Sequence, residues 1–144
     1  MSKFEFWHHH LGISVPDLDA SIQWYGEKLG FELERKFRIE AIPASCAFIR
    51  NGALRIELFM PDQPKPLPPE RRAPDSDNLT HGNKHGAFIV PDVPALHAEF
   101  VKRGVDIVWM KKMPDGAAVF IRDNSGVILE FVQGTPAAPE PGVL

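Results

Sequence analysis

The sequence has a single cysteine, no long apolar run and no concentration of positive charge. Because Cys46 is the only cysteine in 144 residues, neither a disulfide nor a thiolate-built zinc site can form within one chain. No run approaches the roughly 18 apolar residues of a membrane-spanning helix, and the start MSKFEFW lacks the segments of a secretory signal. A formal net charge of -3 without a basic run argues against binding of nucleic acid or a membrane. We therefore expect a cytoplasmic protein whose partners are small molecules.

The chain contains an internal repeat. The segment HLGISVPDLDASIQWY begins at His10 and matches HGAFIVPDVPALHAEF, which begins 75 residues later at His85. A second pair, AFIRNGALRIELF and VFIRDNSGVILEF, aligns Glu57 with Glu130 at a separation of 73 residues, if one extra residue is allowed in the turn. Each half therefore carries one histidine early and one glutamate late.

Both halves have the same predicted order of secondary structure. In the first half, alternation predicts a strand at 10–15, and Asp17 and Gly30 are typical caps for the helix between them. Strand-like segments follow at about 32–37, 45–50 and 53–60. The second half repeats this order, with a strand at 85–90, a helix that ends at Gly104, and strands at about 106–110, 117–122 and 127–133. The predicted fold class is α+β, with two βαβββ modules.

Composition divides the chain into four segments. A first module spans 1–61, a proline-rich connector spans 62–84, a second module spans 85–133 and a tail spans 134–144. The connector is too rich in proline for a helix or a central strand. The tail has too little apolar content to pack, so we expect it to be mobile.

The repeated histidines and glutamates lie on the less apolar faces of their strands. A carboxylate within an apolar segment such as ILEFV is costly to bury without a charge partner or a metal ion. If the two halves curve against each other, two imidazoles and two carboxylates meet in one trough. A divalent cation is the simplest relief of their repulsion, so we predict His10, Glu57, His85 and Glu130 as metal ligands.

In this order, the motifs resemble those of the vicinal oxygen chelate superfamily, which includes glyoxalase I, methylmalonyl-CoA epimerase, extradiol dioxygenases and bleomycin-binding proteins. HLGISVPDLDASIQWYGEKLGF is similar to the opening strand and helix of the family, and RIELF, KHGAFIVPDV and RDNSGVILEF follow in order. The resemblance implies an incomplete, curved sheet around one divalent metal ion, with a ligand on the first and last strand of each module. Those places fall on the same four residues, and the ion would be Ni, Co, Zn, Mn or Fe.

The resemblance also implies a chemistry. The metal ion stabilises negative charge on substrate oxygens while a carboxylate moves a proton, so Glu57 and Glu130 are candidate general bases. Two histidines and two glutamates resemble bacterial glyoxalase I, which favours an isomerase, epimerase or lyase that transfers a proton next to a carbonyl. Two alternatives stay open. His10, His85 and Glu130 resemble the ligands of an iron-dependent ring-cleaving dioxygenase. Other family members confer resistance to a small toxin, either by adding a thiol to it or by sequestering it.

Four further residues are candidates for substrate contact, namely His8, Arg55, Phe59 and Arg122. Alternation along the first strand places His9 on the face opposite to His10. The exposed edges of the predicted sheets favour a homodimer.

Overall fold

The structure of the chain, a computed structural model, describes residues 3–114 and 116–136. The chain forms two compact units, Met1–Pro66 and Leu67–Leu144. The boundary between the units falls inside the predicted connector, and residues 137–144 of the predicted tail lie outside the described residues. No helix in the described ranges is long and apolar enough to cross a membrane.

The first unit is one βαβββ module. Its elements are β1 (Leu11–Ser14), α1 (Leu18–Leu29), β2 (Glu32–Ile39), β3 (Ala44–Asn51) and β4 (Leu54–Pro61). The strand order is β1-β4-β3-β2, in which β1 runs parallel to β4 and the other neighbours are antiparallel. As predicted, the Asp17 side chain accepts a hydrogen bond at the start of α1, and Gly30, with a φ of 72°, ends it.

The second unit repeats this module. Its elements are β5 (Gly86–Val90), α3 (Val93–Arg103), β6 (Asp106–Met113), β7 (Gly116–Arg122) and β8 (Ile128–Gln133). The strand order β5-β8-β7-β6 matches that of the first unit, again with one parallel pair at β5 and β8. The prediction of an α+β fold with two βαβββ modules is therefore confirmed.

The prediction that the connector contains no helix is wrong. A 3-10 helix spans Pro69–Arg72 and a one-turn helix, α2, spans Pro74–Asp77. Each helix has a proline in its first turn, where the missing N–H would have no helical partner in any case. Proline therefore begins these short helices instead of preventing them.

In each unit, one face of the sheet packs against the long helix and leaves the other face for the histidine and glutamate. The buried face of the first sheet includes Ile13, Ile56 and Leu58, and the helix contributes Tyr25 to this core. In the second unit the corresponding core side chains are Val119, Ile121, Leu129, Phe100 and Phe131. Alternation along β4 and β8 then turns Glu57 and Glu130 to the opposite face.

Candidate functional site

The first histidine–glutamate pair forms within the first unit. Because Gly12 on β1 lies opposite Glu57 on β4, His10, two residues before Gly12, reaches the glutamate side chain. His10 Nε2 lies 2.8 Å from Glu57 Oε2. Glu57 is only 7% exposed, and its neighbours Ile56 and Leu58 are fully buried. The chain thus buries a carboxylate in the centre of a sheet with an imidazole as its partner. Because burial of such a pair costs free energy, its presence indicates a functional role.

The second pair repeats this geometry within the second unit. Ala87 on β5 lies opposite Glu130 on β8, and His85 stands two residues before Ala87. His85 Nε2 lies 2.9 Å from Glu130 Oε2, and the two side chains are 24% and 19% exposed. The structure therefore brings each predicted histidine to the glutamate of its own module.

A phenylalanine accompanies each pair on the neighbouring strand. Phe48 lies opposite Glu57 and its ring packs edge-on against His10, with centroids 5.5 Å apart. In the second unit Phe120 lies opposite Glu130, and its ring packs edge-on against the second histidine at 5.3 Å. Phe120 was not predicted as part of the site, although both phenylalanines are the first residue of the repeated FIR motif, which was a usable signal.

The outer strand of each sheet adds a cation and an aromatic ring. Arg35 on β2 lies opposite Phe48, and its guanidinium carbon lies 5.2 Å from that ring and 5.0 Å from the ring of Phe37. On β6, Trp109 takes the equivalent place opposite the second phenylalanine, and Lys111 Nζ lies 4.1 Å from the centre of a Trp109 ring. Across each sheet the order is therefore the same: histidine, glutamate, phenylalanine, then a cation with an aromatic partner.

The second unit also contains a cavity of about 330 Å³ next to its pair. His85, Trp109, Phe120, Lys84 and Lys111 line it, together with residues of the α2 turn. This volume lies near the lower end of the range for sites that bind small molecules. None of the predicted substrate contacts lines this cavity, whereas the histidine of the second pair does.

The prediction that His9 points away from His10 is wrong. His9 Nδ1 lies 2.6 Å from His10 Nδ1, and Arg55 Nη1 lies 3.0 Å from His9 Nε2. Strand alternation does not apply here, because β1 begins only at Leu11. His9 is therefore in contact with the ligand candidate His10 rather than on the opposite face.

These contacts form a chain of hydrogen bonds that ends at Glu57. Arg55 can only donate, so His9 Nε2 accepts and a neutral His9 carries its proton on Nδ1. His9 then donates to His10 Nδ1, and His10 carries its own proton on Nε2, which faces the carboxylate of Glu57. A metal ion bound by His10 Nε2 would require the His10 proton on Nδ1 instead, so metal binding at the first pair would rearrange the contact between His9 and His10.

Arg55 is itself held by Glu34, a residue that no sequence pattern indicated. Arg55 Nε and Nη2 donate to the two carboxylate oxygens of Glu34 at 2.9 and 2.8 Å. The hydrogen bond from Arg55 lowers the pKa of Glu34, to which a contact from Arg50 also contributes. Glu34 and Arg55 are thus arranged to orient His9 and, through it, His10.

The other predicted substrate contacts have local partners or stand at the surface. Phe59 is half-buried, and its ring lies 3.5 Å from the place that a Cβ on Gly12 would take. Arg122 donates to both carboxylate oxygens of Asp106 at 3.3 Å and to the backbone oxygen of Arg72. His8 is exposed. A role for these three residues in substrate binding stays a prediction.

The spacing within each pair suits ligands of one divalent ion. Two atoms bound to zinc at about 2.1 Å and at angles of 90° to 109° lie about 3.0 to 3.4 Å apart. The observed 2.8 and 2.9 Å are within a few tenths of an ångström of that spacing. Among the described residues no group of three or more histidine, cysteine, aspartate or glutamate side chains forms a metal site, so a centre with four ligands stays a prediction.

Cys46 offers no alternative ligand. Its side chain is fully buried, and burial, with the nearby Glu57 charge as a second cause, raises the pKa of the thiol. A buried thiol that resists ionisation behaves as a small apolar core residue. The chemistry of the site therefore rests on imidazole and carboxylate groups.

A family model described as the Glyoxalase/Bleomycin resistance protein/Dioxygenase superfamily matches residues 7–131. The chain belongs to this superfamily. Members of this superfamily commonly bind a divalent metal ion. The described fold agrees with solved structures: the chain has a TM-score of 0.73 and 26% identity with a glyoxalase/bleomycin resistance protein/dioxygenase domain from Frankia sp., covering 92% of this chain and 100% of that one.

Two relatives have more specific names. The trypanothione-dependent glyoxalase I of Leishmania major has a TM-score of 0.62 and 25% identity, covering 86% of this chain and 84% of that one. A 2-epi-5-epi-valiolone epimerase of Actinomyces sp. is 32% identical over 112 residues, covering 65% of this chain and 56% of the relative. This chain thus spans little more than half the length of that epimerase.

Proposed function

We propose that the protein is a metal-dependent enzyme that transfers a proton next to a carbonyl group of a small oxygenated molecule, as an isomerase, epimerase or lyase. The observation that carries this proposal is the pair of equivalent histidine–glutamate contacts at 2.8 and 2.9 Å, one in each unit. A chain that places the same costly pair at the same sheet position twice has a use for both copies.

The four ligands of the proposed centre are His10, Glu57, His85 and Glu130. Imidazole nitrogens and carboxylate oxygens suit Ni, Co, Zn, Mn or Fe, and two neutral imidazoles with two carboxylates neutralise a divalent ion. When bound, the ion would stabilise the negative charge that develops on substrate oxygens as a proton leaves the neighbouring carbon. In a homodimer, which we also propose, the two pairs of one centre come either from one chain or from both.

We assign removal of the substrate proton to a glutamate of the site. Glu57 and Glu130 are both candidates for the general base, since each carries a carboxylate within hydrogen-bond reach of an imidazole. Glu130 is better placed for a substrate in the second unit, because its partner His85 lines the cavity there. We therefore assign the role of base to Glu130 in addition to its role as a ligand, and the role of ligand and charge balance alone to Glu57.

Two observations favour proton transfer over the other chemistries of the superfamily. A ring-cleaving iron dioxygenase needs two histidines, one carboxylate and open positions, whereas this chain retains a second paired carboxylate in Glu57. A protein that only sequesters a small molecule needs neither pair. The names of the two relatives, an epimerase and a glyoxalase I, support the same class.

The proposal is tested by deuterium exchange. The full-length protein, loaded in turn with Ni, Co or Zn, is incubated in deuterium oxide with α-hydroxycarbonyl compounds and with hemithioacetals of 2-oxoaldehydes. We expect deuterium at the carbon next to the carbonyl, detected by NMR. The rate should fall at least about a hundredfold in Glu130→Gln, as for loss of a general base, but not in Glu32→Gln, which alters an exposed glutamate of β2. Oxygen consumption that requires ferrous iron, without deuterium exchange, would contradict the proposal.

A further inference from the structure

The cavity of the second unit contains an ammonium group that the proposed proton transfer does not require. Trp109 and Phe120 form one wall of the cavity, with ring centroids 5.7 Å apart and ring planes at 69°. Phe120 also contacts the ring of His85. The aromatic wall therefore runs from the edge of the sheet to the histidine–glutamate pair.

Of the two lysines that line the cavity, Lys84 is already engaged. Its ammonium group donates to the backbone oxygens of Asp77, at 2.6 Å, and of Thr80, and it lies 3.4 Å from the Asp77 carboxylate. Asp77 is 2% exposed, so this contact anchors the turn that follows α2. Lys84 is therefore structural and has little capacity left for a ligand.

Lys111 is different. Its ammonium group lies 4.1 Å from the centre of a Trp109 ring, a contact that leaves N–H groups free to donate. Within residues 3–114 and 116–136 it forms no ion pair with a carboxylate. A cation that lines a cavity in this way is available for an anionic ligand.

The sheet sets the distance between this cation and the proposed base. Lys111 and Trp109 lie on β6, Phe120 lies on β7 and Glu130 lies on β8, with their side chains on one face. Trp109 lies opposite Phe120, which lies opposite Glu130, and neighbouring strands are about 4.8 Å apart, so the outer two are separated by roughly 10 Å. Lys111, two residues further along β6, holds its ammonium group over the Trp109 ring at one end of this row. A ligand that spans this row needs a body of about the length of one ring between its charged and reacting ends.

We propose that Lys111 binds the carboxylate of a small, planar carboxylic acid whose unsaturated body packs against Trp109 and Phe120. The opposite end of the ligand then lies at His85 and Glu130. A singly charged group fits better than a phosphate, because only one ammonium group is uncommitted and the carboxylate of Asp75 also lines the cavity. The role of the reacting end rests on the proposed function, whereas the carboxylate site rests on the cavity alone.

The first unit supports this arrangement. At the equivalent place on β2, Arg35 lies over the rings of Phe37 and Phe48. The residue types differ from those of the second unit, yet both modules place a cation against aromatic rings on the outer strand next to the phenylalanine. A cation packed against aromatic rings on the outer strand is therefore a feature of both modules.

The test compares two probes of nearly the same shape, benzoate and benzamide, of which only benzoate carries a negative charge. The ¹⁵N-labelled full-length protein is titrated with each, both as purified and in the presence of EDTA, so that binding of benzoate to a metal ion is excluded in the second series. The Trp109 indole N–H and the Lys111 amide report binding. We expect benzoate to shift both signals and to bind about tenfold more tightly than benzamide in EDTA, as expected for a charge-assisted hydrogen bond.

Two variants distinguish the proposed site from general attraction of an anion. Lys111→Gln should reduce benzoate affinity about tenfold and leave benzamide unaffected. Lys112→Gln, which removes an exposed charge from the next residue of the same strand, should leave both affinities unchanged. Equal affinities for the two probes, no shift at Trp109, or equal losses in both variants would overturn the proposal.

The outcome is independent of the proposed proton transfer. Glu130→Gln should slow deuterium exchange at least about a hundredfold but retain benzoate binding in EDTA, because Lys111 is unchanged. If benzoate binds as expected and no substrate exchanges deuterium, the proposed function fails and the carboxylate site stands. If exchange occurs and benzoate does not bind at Lys111, the carboxylate site fails alone.

Discussion

Replacing Glu57 with leucine should stabilise the metal-free protein while removing metal binding. The Glu57 side chain is 10% exposed and pairs with a His10 side chain that is 32% exposed. Exchange of a fully buried ion pair for apolar residues of similar volume is often neutral or stabilising by about 1 to 4 kcal/mol. Glu57→Leu removes only one partner, which is costly where the other is left as a buried charge, but the remaining His10 is partly exposed to solvent. We therefore expect a gain of about 0 to 2 kcal/mol, below the range for replacing a whole pair.

Two comparisons give this value a scale. Leu58→Ala, at a fully buried neighbour on the opposite face of β4, should cost about 2 to 5 kcal/mol through loss of contacts and a cavity. His10→Ala should cost about 1 to 3 kcal/mol, since it leaves the Glu57 carboxylate without its imidazole partner. The predicted change in the free energy of unfolding for Glu57→Leu thus has the opposite sign to the changes for Leu58→Ala and His10→Ala.

The assay is urea unfolding followed by circular dichroism, in EDTA and in excess Zn or Ni. In EDTA, Glu57→Leu should raise the midpoint without a change in the slope. In metal, the wild type should gain about 2.7 kcal/mol at a hundredfold excess over the dissociation constant, whereas Glu57→Leu should gain much less. A loss of more than about 1 kcal/mol for Glu57→Leu in EDTA would refute the reasoning, because the pair would then be structural.

Three further predictions concern other parts of the chain. Arg38 lowers the pKa of Asp62, so the stabilisation from this pair is complete above the usual aspartate pKa and is lost as the pH falls through the lowered value. Arg38→Met should therefore destabilise at pH 7, and the difference from the wild type in urea unfolding should shrink as the pH falls below the usual aspartate pKa. Cys46 should react with a thiol reagent such as DTNB only after unfolding, and fast reaction of the folded protein would contradict its burial. If each centre takes one pair from each chain of a dimer, refolding Glu57→Ala together with Glu130→Ala should restore about a quarter of the metal sites; no recovery is expected if each centre lies within one chain.

The order of the elements could be predicted because it depends on local patterns. Asp17 and Gly30 cap α1 as expected, and the strands occur where alternation places them. The length of β6 could not be predicted, since the strand continues to Met113. Its extension depends on pairing of Lys111 and Lys112 with β7, a contact between strands rather than a local preference.

The faces of the outer strands were beyond prediction for a different reason. A β-bulge lies between Ile107 and Trp109, and another lies between Leu33 and Arg35. Each bulge adds one residue and reverses the alternation, so Trp109 joins the site face although Ile107 lies on the core face. Simple alternation places both residues on the core face. The sequence pattern therefore could not predict that the outer strand contributes a cation and an aromatic ring to the site face.

The histidine–glutamate pairs could be predicted because the repeat identifies them twice. Neither His10 nor His85 differs from an ordinary strand histidine when taken alone. The structure places each within 2.9 Å of the glutamate that the repeat aligns with it. The role of His9 was missed because a hydrogen bond from Arg55 positions it, and this bond joins residues that are 46 apart in sequence.

The measurement that tests the central claim most directly is metal binding by the untagged full-length protein. After removal of metal with EDTA and dialysis, Ni, Co and Zn are titrated by calorimetry, and the bound ion is counted by elemental analysis. We predict one divalent ion per centre and a loss of affinity of more than about a hundredfold in each of Glu57→Ala and Glu130→Ala, with no change in Glu32→Ala. A wild type that stays metal-free at saturating supply, or variants that bind as tightly as the wild type, would contradict the account.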